Sequence, residues 1–240
     1  MLNKSLWVVE DKNLQEILMK LKNNIRNFPK GSYIYQQEDV RKYMYFLIEG
    51  RVKISIYSPN GSEKTLAIHE PGSFFGETAF FDQMACFCCA EALKDSVVVC
   101  LGKQDIRRMM QDNPEIIFHM FDSMGRKIRL LSFQVEYLSF MKIEERLIAL
   151  LLTLFDSFGV KCSKVNDSVK GCLLKKKCPL GQCLSLSITD QAIGEMIGVR
   201  REGVTKAINK LKKRDLVYKQ NRVICCPDIS ILNTLLSELY

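Results

Sequence analysis

Long apolar runs are missing from this 240-residue chain, histidine occurs only twice, and no cysteine precedes Cys86. Without a run of about 18 uncharged apolar residues there is no membrane-spanning helix of ordinary length. The opening residues, MLNKSLWVVEDKNLQEILMK, carry charges where a secretion signal places its apolar stretch, so a cytoplasmic protein is expected, with no membrane partner. Neither His69 nor His119 lies in a second motif, which leaves any cysteine nucleophile without a histidine base, and catalysis is not expected.

What the chain does have is ten cysteines and a lopsided charge. In the absence of a secretion signal the cysteines read as thiols, metal ligands or redox sensors rather than structural disulfides. They fall as Cys86, Cys88, Cys89 and Cys100, then Cys162, Cys172, Cys178 and Cys183, then Cys225 and Cys226. The middle four are spaced C-x9-C-x5-C-x4-C among Gly171, Lys175-Lys176-Lys177, Pro179 and Gly181, a composition that reads as a loop. Four thiolates there are a candidate site for zinc or an iron–sulfur cluster, but beside Cys178 and Cys183 the second C-x2–4-C pair usual for zinc is missing. Reversible disulfides and incidental thiols stay open beside it.

Residues 1 to 141 hold 18 Lys and Arg against 17 Asp and Glu, whereas residues 142 to 240 hold 17 against 10. The excess positive charge therefore sits at the C-terminal end, as expected if that part meets a polyanion, although a solvated basic surface has the same count.

From Phe28 to about Leu101, β-rich runs (YMYFLIEG, RVKISIYS, KTLAIHE, SVVVCL) alternate with breaks at Gly31, Gly50, Gly61, Gly72 and Gly76, and Pro59-Asn60-Gly61 is a hairpin turn. This predicts an antiparallel sandwich or barrel, with a helix over roughly Asp11 to Asn23 packed outside it. His69 reads as a strand surface residue. After Asn113-Pro114 the period lengthens: Ile117, Phe121, Met124, Ile128, Leu131, Val135 and Leu138 follow at steps of 4 and 3, the a/d seam of a coiled coil. Such a seam calls for a partner helix, or else packs on the chain's own β domain. After Phe140-Met141-Lys142-Ile143 a further helical stretch runs to about Phe158.

Near the C-terminus, Thr189 is a good N-cap for a helix with Ala192, Ile193, Met196 and Ile197 on its apolar face, and Gly198-Val199 forms a tight turn. A second helix over about Arg200 to Lys213 points Val204, Ile208 and Leu211 inward, and a small hairpin around Gln220-Asn221 follows as a wing. Two short helices joined at a glycine are the helix-turn-helix arrangement, whose second helix enters the major groove of duplex DNA. Its opposite face carries Arg201, Glu202, Thr205, Lys206 and Asn209, groups able to read base edges, while Lys210, Lys212, Lys213 and Arg214 suit phosphates. Arg200 opens the same helix, so Arg200, Arg201, Glu202, Thr205, Lys206, Asn209 and Lys213 are the candidate DNA-binding residues.

FLIEGRVKIS, HEPGSFFGETAFFD, ALKDSVV, the long helix and ITDQAIGEMIGVRREGVTKAINKLKKRDLV together resemble the Crp/Fnr superfamily over nearly the whole chain. The resemblance implies an α+β fold: an effector-sensing β-roll of the cyclic-nucleotide-binding kind over 1–112, a dimerisation helix over 113–140, and a winged helix-turn-helix over 141–240. It also implies a homodimer, a hinge near Phe140 to Ile143, promoter DNA and RNA polymerase as partners, and a small effector in the β-roll. Superfamily members that bind cyclic nucleotides follow their Gly-Glu pair, here Gly76-Glu77, with an Arg-Ser about ten residues on that grips the phosphate. This chain has Cys86-Phe87-Cys88-Cys89 there, so cyclic AMP is not expected, because a buried phosphate would lack its cation. The candidate effector residues are Phe74, Gly76, Glu77, Cys86, Phe87, Cys88, Leu131 and Val135. They outline an apolar cavity suited to an aromatic or other hydrophobic small molecule, unless the space is simply packed core. Residues 46–64 are most similar to clostridial regulators of organohalide respiration, whose effectors are halogenated aromatics. Oxygen-sensing members carry an iron–sulfur cluster on N-terminal cysteines missing here, and neither histidine sits in a haem motif. The β-roll signature is also shared with cyclic-nucleotide-binding regulatory subunits that act on proteins, but those lack the C-terminal helix pair.

Overall fold

A computed structural model describes residues 8–9, 24–40, 42–161, 181–220 and 222–237. The chain divides into two compact units, one closing at Phe133 and the other opening at Gln134. The helix expected over Asp11 to Asn23 lies outside the described residues, as do Cys162, Cys172 and Cys178.

In the first unit the predicted strand runs pair into two sheets. One has the order β1 (Val8–Val9), β6 (Glu63–His69), β5 (Val52–Tyr57), β8 (Cys89–Ala92), β3 (Tyr33–Tyr35). The other has the order β2 (Ile25–Phe28), β9 (Ser96–Leu101), β4 (Met44–Glu49), β7 (Phe74–Phe75). All pairs are antiparallel except β1 with β6, where Val8 lies beside Ile68 and Val9 beside His69 in parallel. Side chains alternate faces along a strand. In β6 the buried set is Thr65, Ala67 and His69, while the more apolar Leu66 and Ile68 are only half-buried. His69 is therefore not a surface residue: it is 2% exposed. The partner strand β5 is irregular between Ile54 and Ser55, and it is the pairing register, not side-chain polarity, that sets which face turns inward.

Three helices complete this unit: α1 (Glu77–Asp82), α2 (Lys103–Asp112) and the N-terminal part of α3 (Ile116–Phe140). Asp105 secures the start of α2 by accepting hydrogen bonds from the Gly102 amide at 2.9 Å and from Asn24 Nδ2 at 3.0 Å. Met44, Phe46, Phe74, Phe80, Val99 and Leu101 form the core with Ile106 and Met109 of α2 and Ile116 and Met120 of α3. Full burial of each large side chain contributes about 1.5–3 kcal/mol.

Along α3 the expected seam divides. Ile117 packs against the core and Met124 is half-buried, but Phe121, Ile128, Leu131, Val135 and Leu138 are exposed, Ile128 at 63%. The helix stops at Phe140, Lys142 takes an extended conformation, and the Glu145 carboxylate accepts from the Lys142 amide at 2.7 Å to start α4 (Ile143–Phe158).

The second unit continues with β10 (Gly159–Lys161), β11 (Gln182–Leu184), α5 (Asp190–Ile197), α6 (Arg201–Lys213), β12 (Tyr218–Gln220), β13 (Val223–Cys226) and α7 (Ile229–Ser237). Its sheet has the order β10-β11-β13-β12. The residues around Cys183 are thus strand rather than loop, and Cys183 sits buried and directly opposite Cys225. With three residues, β11 is too short to show a period among its polar neighbours. The overall architecture is the expected one: a β-rich domain, a long helix and a helix-turn-helix flanked by a β wing.

Candidate functional sites

In the second unit the helix pair is built as its sequence demands. The Thr189 hydroxyl accepts from the Ala192 amide at 3.0 Å and caps α5. Gly198 turns the chain with φ 71°, a left-handed conformation that a side chain would strain, and the Val199 amide donates back to the Gly194 carbonyl at 3.0 Å. On α6, Val204, Ala207, Ile208 and Leu211 are buried, while Arg201, Glu202, Thr205, Lys206, Asn209 and Lys213 are exposed, as is Arg200 at the N-cap. All seven candidate DNA-binding residues thus stand at the surface.

A residue the sequence reading passed over ties this module together. Asp190, at the start of α5, accepts the Thr205 hydroxyl of α6 at 2.6 Å and pairs with Lys219 of β12, joining both helices to the wing. Burial alone would raise its pKa, but the Lys219 ammonium and the Thr205 hydroxyl hold the carboxyl below the ordinary range. The Thr205 proton is engaged in that contact, with the Arg201 carbonyl 3.1 Å away.

The first unit contains a cavity of about 100 Å³. Its walls come from Tyr35, Ile54, Leu66, Ala67, His69 and Phe75 of the strands, Gly76 to Ala79 of the α1 corner, Cys86 to Cys88, and Lys127, Leu130 and Leu131 of α3. Gly76 has φ 76°, and a Cβ there would meet the Tyr45 ring at 2.9 Å, so the corner admits glycine alone. Lys127 Nζ donates to the Phe74 carbonyl at 2.6 Å and pairs with Glu77 Oε2 at 3.0 Å, fastening α3 to this corner.

Of the predicted effector residues, Gly76, Glu77, Cys86, Phe87, Cys88 and Leu131 line the cavity. Phe74 does not: it belongs to the core cluster, and its neighbour Phe75 faces the cavity, because successive strand residues point to opposite faces. Val135 does not either. It lies one helical turn, about 6 Å, beyond Leu131 and is 64% exposed. Lys127, Tyr35, Phe75 and His69 were missed; Lys127 and Glu77 stand 50 residues apart, beyond the reach of any local pattern.

The cysteines here are buried. Burial pushes the Cys88 thiol up to about 12, leaving it protonated and unreactive at neutral pH. Among the described residues no group of His, Cys, Asp and Glu is arranged to hold a metal ion. Of the four proposed metal ligands only Cys183 is described, in β11. No described helix is long and apolar enough to cross a membrane.

Fold and sites define an effector-binding β-roll joined to a DNA-binding module. Residues 25–113 match the cyclic nucleotide-binding domain and residues 145–235 the Crp-like helix-turn-helix domain. The chain is 25% identical over 202 residues to the cAMP-activated global transcriptional regulator CRP of Pasteurella multocida, covering 84% of this chain and 88% of that one. A mutant of CooA from Carboxydothermus hydrogenoformans superposes with TM-score 0.75 at 20% identity, over 97% of this chain and 99% of that one. CprK complexed with OCPA superposes with TM-score 0.66 at 22% identity, over 88% and 92%. The chain belongs to the Crp/Fnr family of transcriptional regulators, with a Crp-like DNA-binding domain and an effector-binding domain.

The Asp190 contacts set a pH dependence. A carboxyl whose folded pKa is depressed contributes stability above its unfolded pKa, and loses it as pH falls through the folded value. Asp190→Asn is expected to destabilise the second unit at pH 7, with the gap to wild type closing as pH drops below about 4. Urea denaturation across that range measures it; a gap that is unchanged at pH 3 contradicts the assignment.

Proposed function

We propose that the chain is a homodimeric cytoplasmic regulator that binds promoter DNA through α6 and is controlled by a small apolar or aromatic effector other than cyclic AMP. The observation that carries the effector class is the lining of the cavity. It is mainly aromatic and aliphatic, no arginine stands among its lining residues, and its lysine is already neutralised by Glu77. A cyclic phosphate entering there would be a buried charge without a partner cation. Apolar cavities of about 150 Å³ admit benzene, so a space of about 100 Å³ takes a small ring once Phe87, 50% exposed at the wall, gives way. Halogenated aromatics, the effectors of the organohalide regulators that residues 46–64 resemble, fit this description.

The exposed apolar row on α3 supports the dimer, since a single chain leaves Phe121, Ile128, Leu131, Val135 and Leu138 facing water. Leu131 belongs to both that row and the cavity lining, so an effector touching it acts on a residue of the dimer seam. Contact with RNA polymerase follows from the family resemblance. On α6, Arg201 and Glu202 read base edges, with Lys206 and Asn209 beside them, and Arg200 and Lys213 hold phosphates.

A redox contribution has one structural support: Cys183 and Cys225 are directly opposed cysteines on neighbouring strands, with the side-chain proximity of a cross-strand pair. Peptide mapping after treatment with diamide is expected to find them bridged. Reduced thiols at both positions, with DNA binding indifferent to the oxidant, remove the redox reading.

Three measurements test the main reading. Ile128→Asp places a charge without a partner in the seam and is expected to sediment as a monomer where the wild type is a dimer; a monomeric wild type at micromolar concentration overturns the dimer. Arg201→Ala is expected to cost about 1–3 kcal/mol on a selected site and to relax preference at one base pair, whereas Lys213→Ala weakens all duplexes alike. Equal losses on specific and random DNA for both variants contradict the roles given to α6. Calorimetry with millimolar cyclic AMP is expected to show no heat of binding, and a saturable isotherm would reverse the reading of the cavity.

A further inference from the structure

Thr205 stands in the middle of the outer face of α6, one turn after Arg201 and one turn before Asn209, and like them it is exposed. A hydroxyl in such a place ordinarily has no fixed polarity. It can donate to a base acceptor or accept from a base amino group, and so discriminates little. Here the hydrogen is committed. Among the described residues its partners are the Asp190 carboxylate at 2.6 Å and the Arg201 carbonyl at 3.1 Å, and both can only accept. Burial would raise the Asp190 pKa, but Lys219 and the Thr205 hydroxyl hold the carboxyl below the ordinary range, so it is ionised at pH 7 and has no proton to offer in return. Whichever of the two takes the hydrogen, the hydroxyl donates within the protein and keeps lone pairs for an outside donor.

We propose that Thr205 is a specificity-determining residue that meets the major groove as an acceptor alone, and that it selects a base pair by the amino group presented there, N6 of adenine or N4 of cytosine. The inference rests on α6 reading DNA, as proposed above. Asp190 acts through Thr205 as a positioning residue, and Lys219 holds the same carboxylate from β12. The polarity of one atom on the outer face is thus set by α5, α6 and the wing together. Arg201 and Lys206 on that face can only donate, so Thr205 adds to Glu202 a second reader of amino groups. A guanine O6 or N7, or a thymine O4, placed against Thr205 would set acceptor against acceptor and leave both without a partner.

The test selects a site for the full chain from a duplex pool of random sequence, then measures it base pair by base pair with wild type, Thr205→Val and Thr205→Ser. Thr205→Val keeps the shape and loses the hydroxyl, and is expected to relax preference at one base pair of each half-site, whereas Thr205→Ser keeps it. At that pair, unsubstituted purine in place of adenine, or pyrimidin-2-one in place of cytosine, removes the amino group alone. That change is expected to weaken wild type about tenfold more than Thr205→Val. A 7-deaza analogue of the pair's purine, which removes an acceptor instead, is expected to affect the two proteins alike. Asp190→Asn can turn its amide toward Thr205 and free the hydroxyl hydrogen, so it should lose the amino preference while its unchanged affinity for random duplexes shows a folded module. The assignment is overturned if Thr205→Val alters no preference, if the amino-lacking analogue costs both proteins equally, or if folded Asp190→Asn keeps the wild-type pattern. Relaxed preference in Arg201→Ala would in those cases leave the DNA-reading role of α6 intact. A wild type that selects no sequence from the pool removes that role and the assignment together.

Discussion

The Lys127 contact is the constraint on which the sensory unit depends. Its ammonium reaches the Phe74 carbonyl and the Glu77 carboxylate from α3, so one side chain holds a long helix against the corner between β7 and α1. Removing a partly buried charge pair from water is costly, and such a pair persists where geometry and additional hydrogen bonds offset the cost. Here the return is positional. With Lys127 fixed, Leu130 and Leu131 in the next turn close the cavity, and the exposed row of α3 begins on the same stretch of helix. Under the proposed function, a ligand that alters the packing of Leu131 touches a residue that belongs both to the cavity wall and to the exposed row of α3. Differential contact of this kind is what shifts a population between conformations.

In the second unit the corresponding device is Asp190, which holds α5, α6 and the wing in one arrangement while the outer face of α6 stays exposed. Arg201 and Glu202 sit at the first turn of that helix and Lys210, Lys212 and Lys213 in its last. Under the proposed function, the basic excess of residues 142 to 240 supplies the salt-dependent, sequence-independent part of DNA affinity, and the first turn of α6 supplies discrimination.

The sequence made the large features legible, because each rests on a local period. The continuous apolar runs of β4 and β9, the apolar spacing in α6, the Thr189 cap and the Gly198 turn are each written within a few residues. The cavity was harder, because it depends on register. Phe74 and Phe75 are equally apolar, and only the pairing of β7 with β4 decides which one faces the cavity. His69 looked like a surface residue because it is polar, yet the strand turns Thr65, Ala67 and His69 inward together. Lys127 carries no mark in sequence that it will meet Glu77. Val135 continues the heptad of α3 faithfully, but a seam and a cavity wall are different surfaces that coincide only at Leu131.

The central claim is that α6 reads DNA as one half of a two-fold dimer. Selection of bound duplexes from a random-sequence pool by the full chain tests it most directly, since repeated rounds amplify even a weak preference. The predicted result is a palindrome whose half-sites are centred about one helical turn, 10–10.5 base pairs, apart. A pool that stays random, or that converges on a single asymmetric element, would contradict the account.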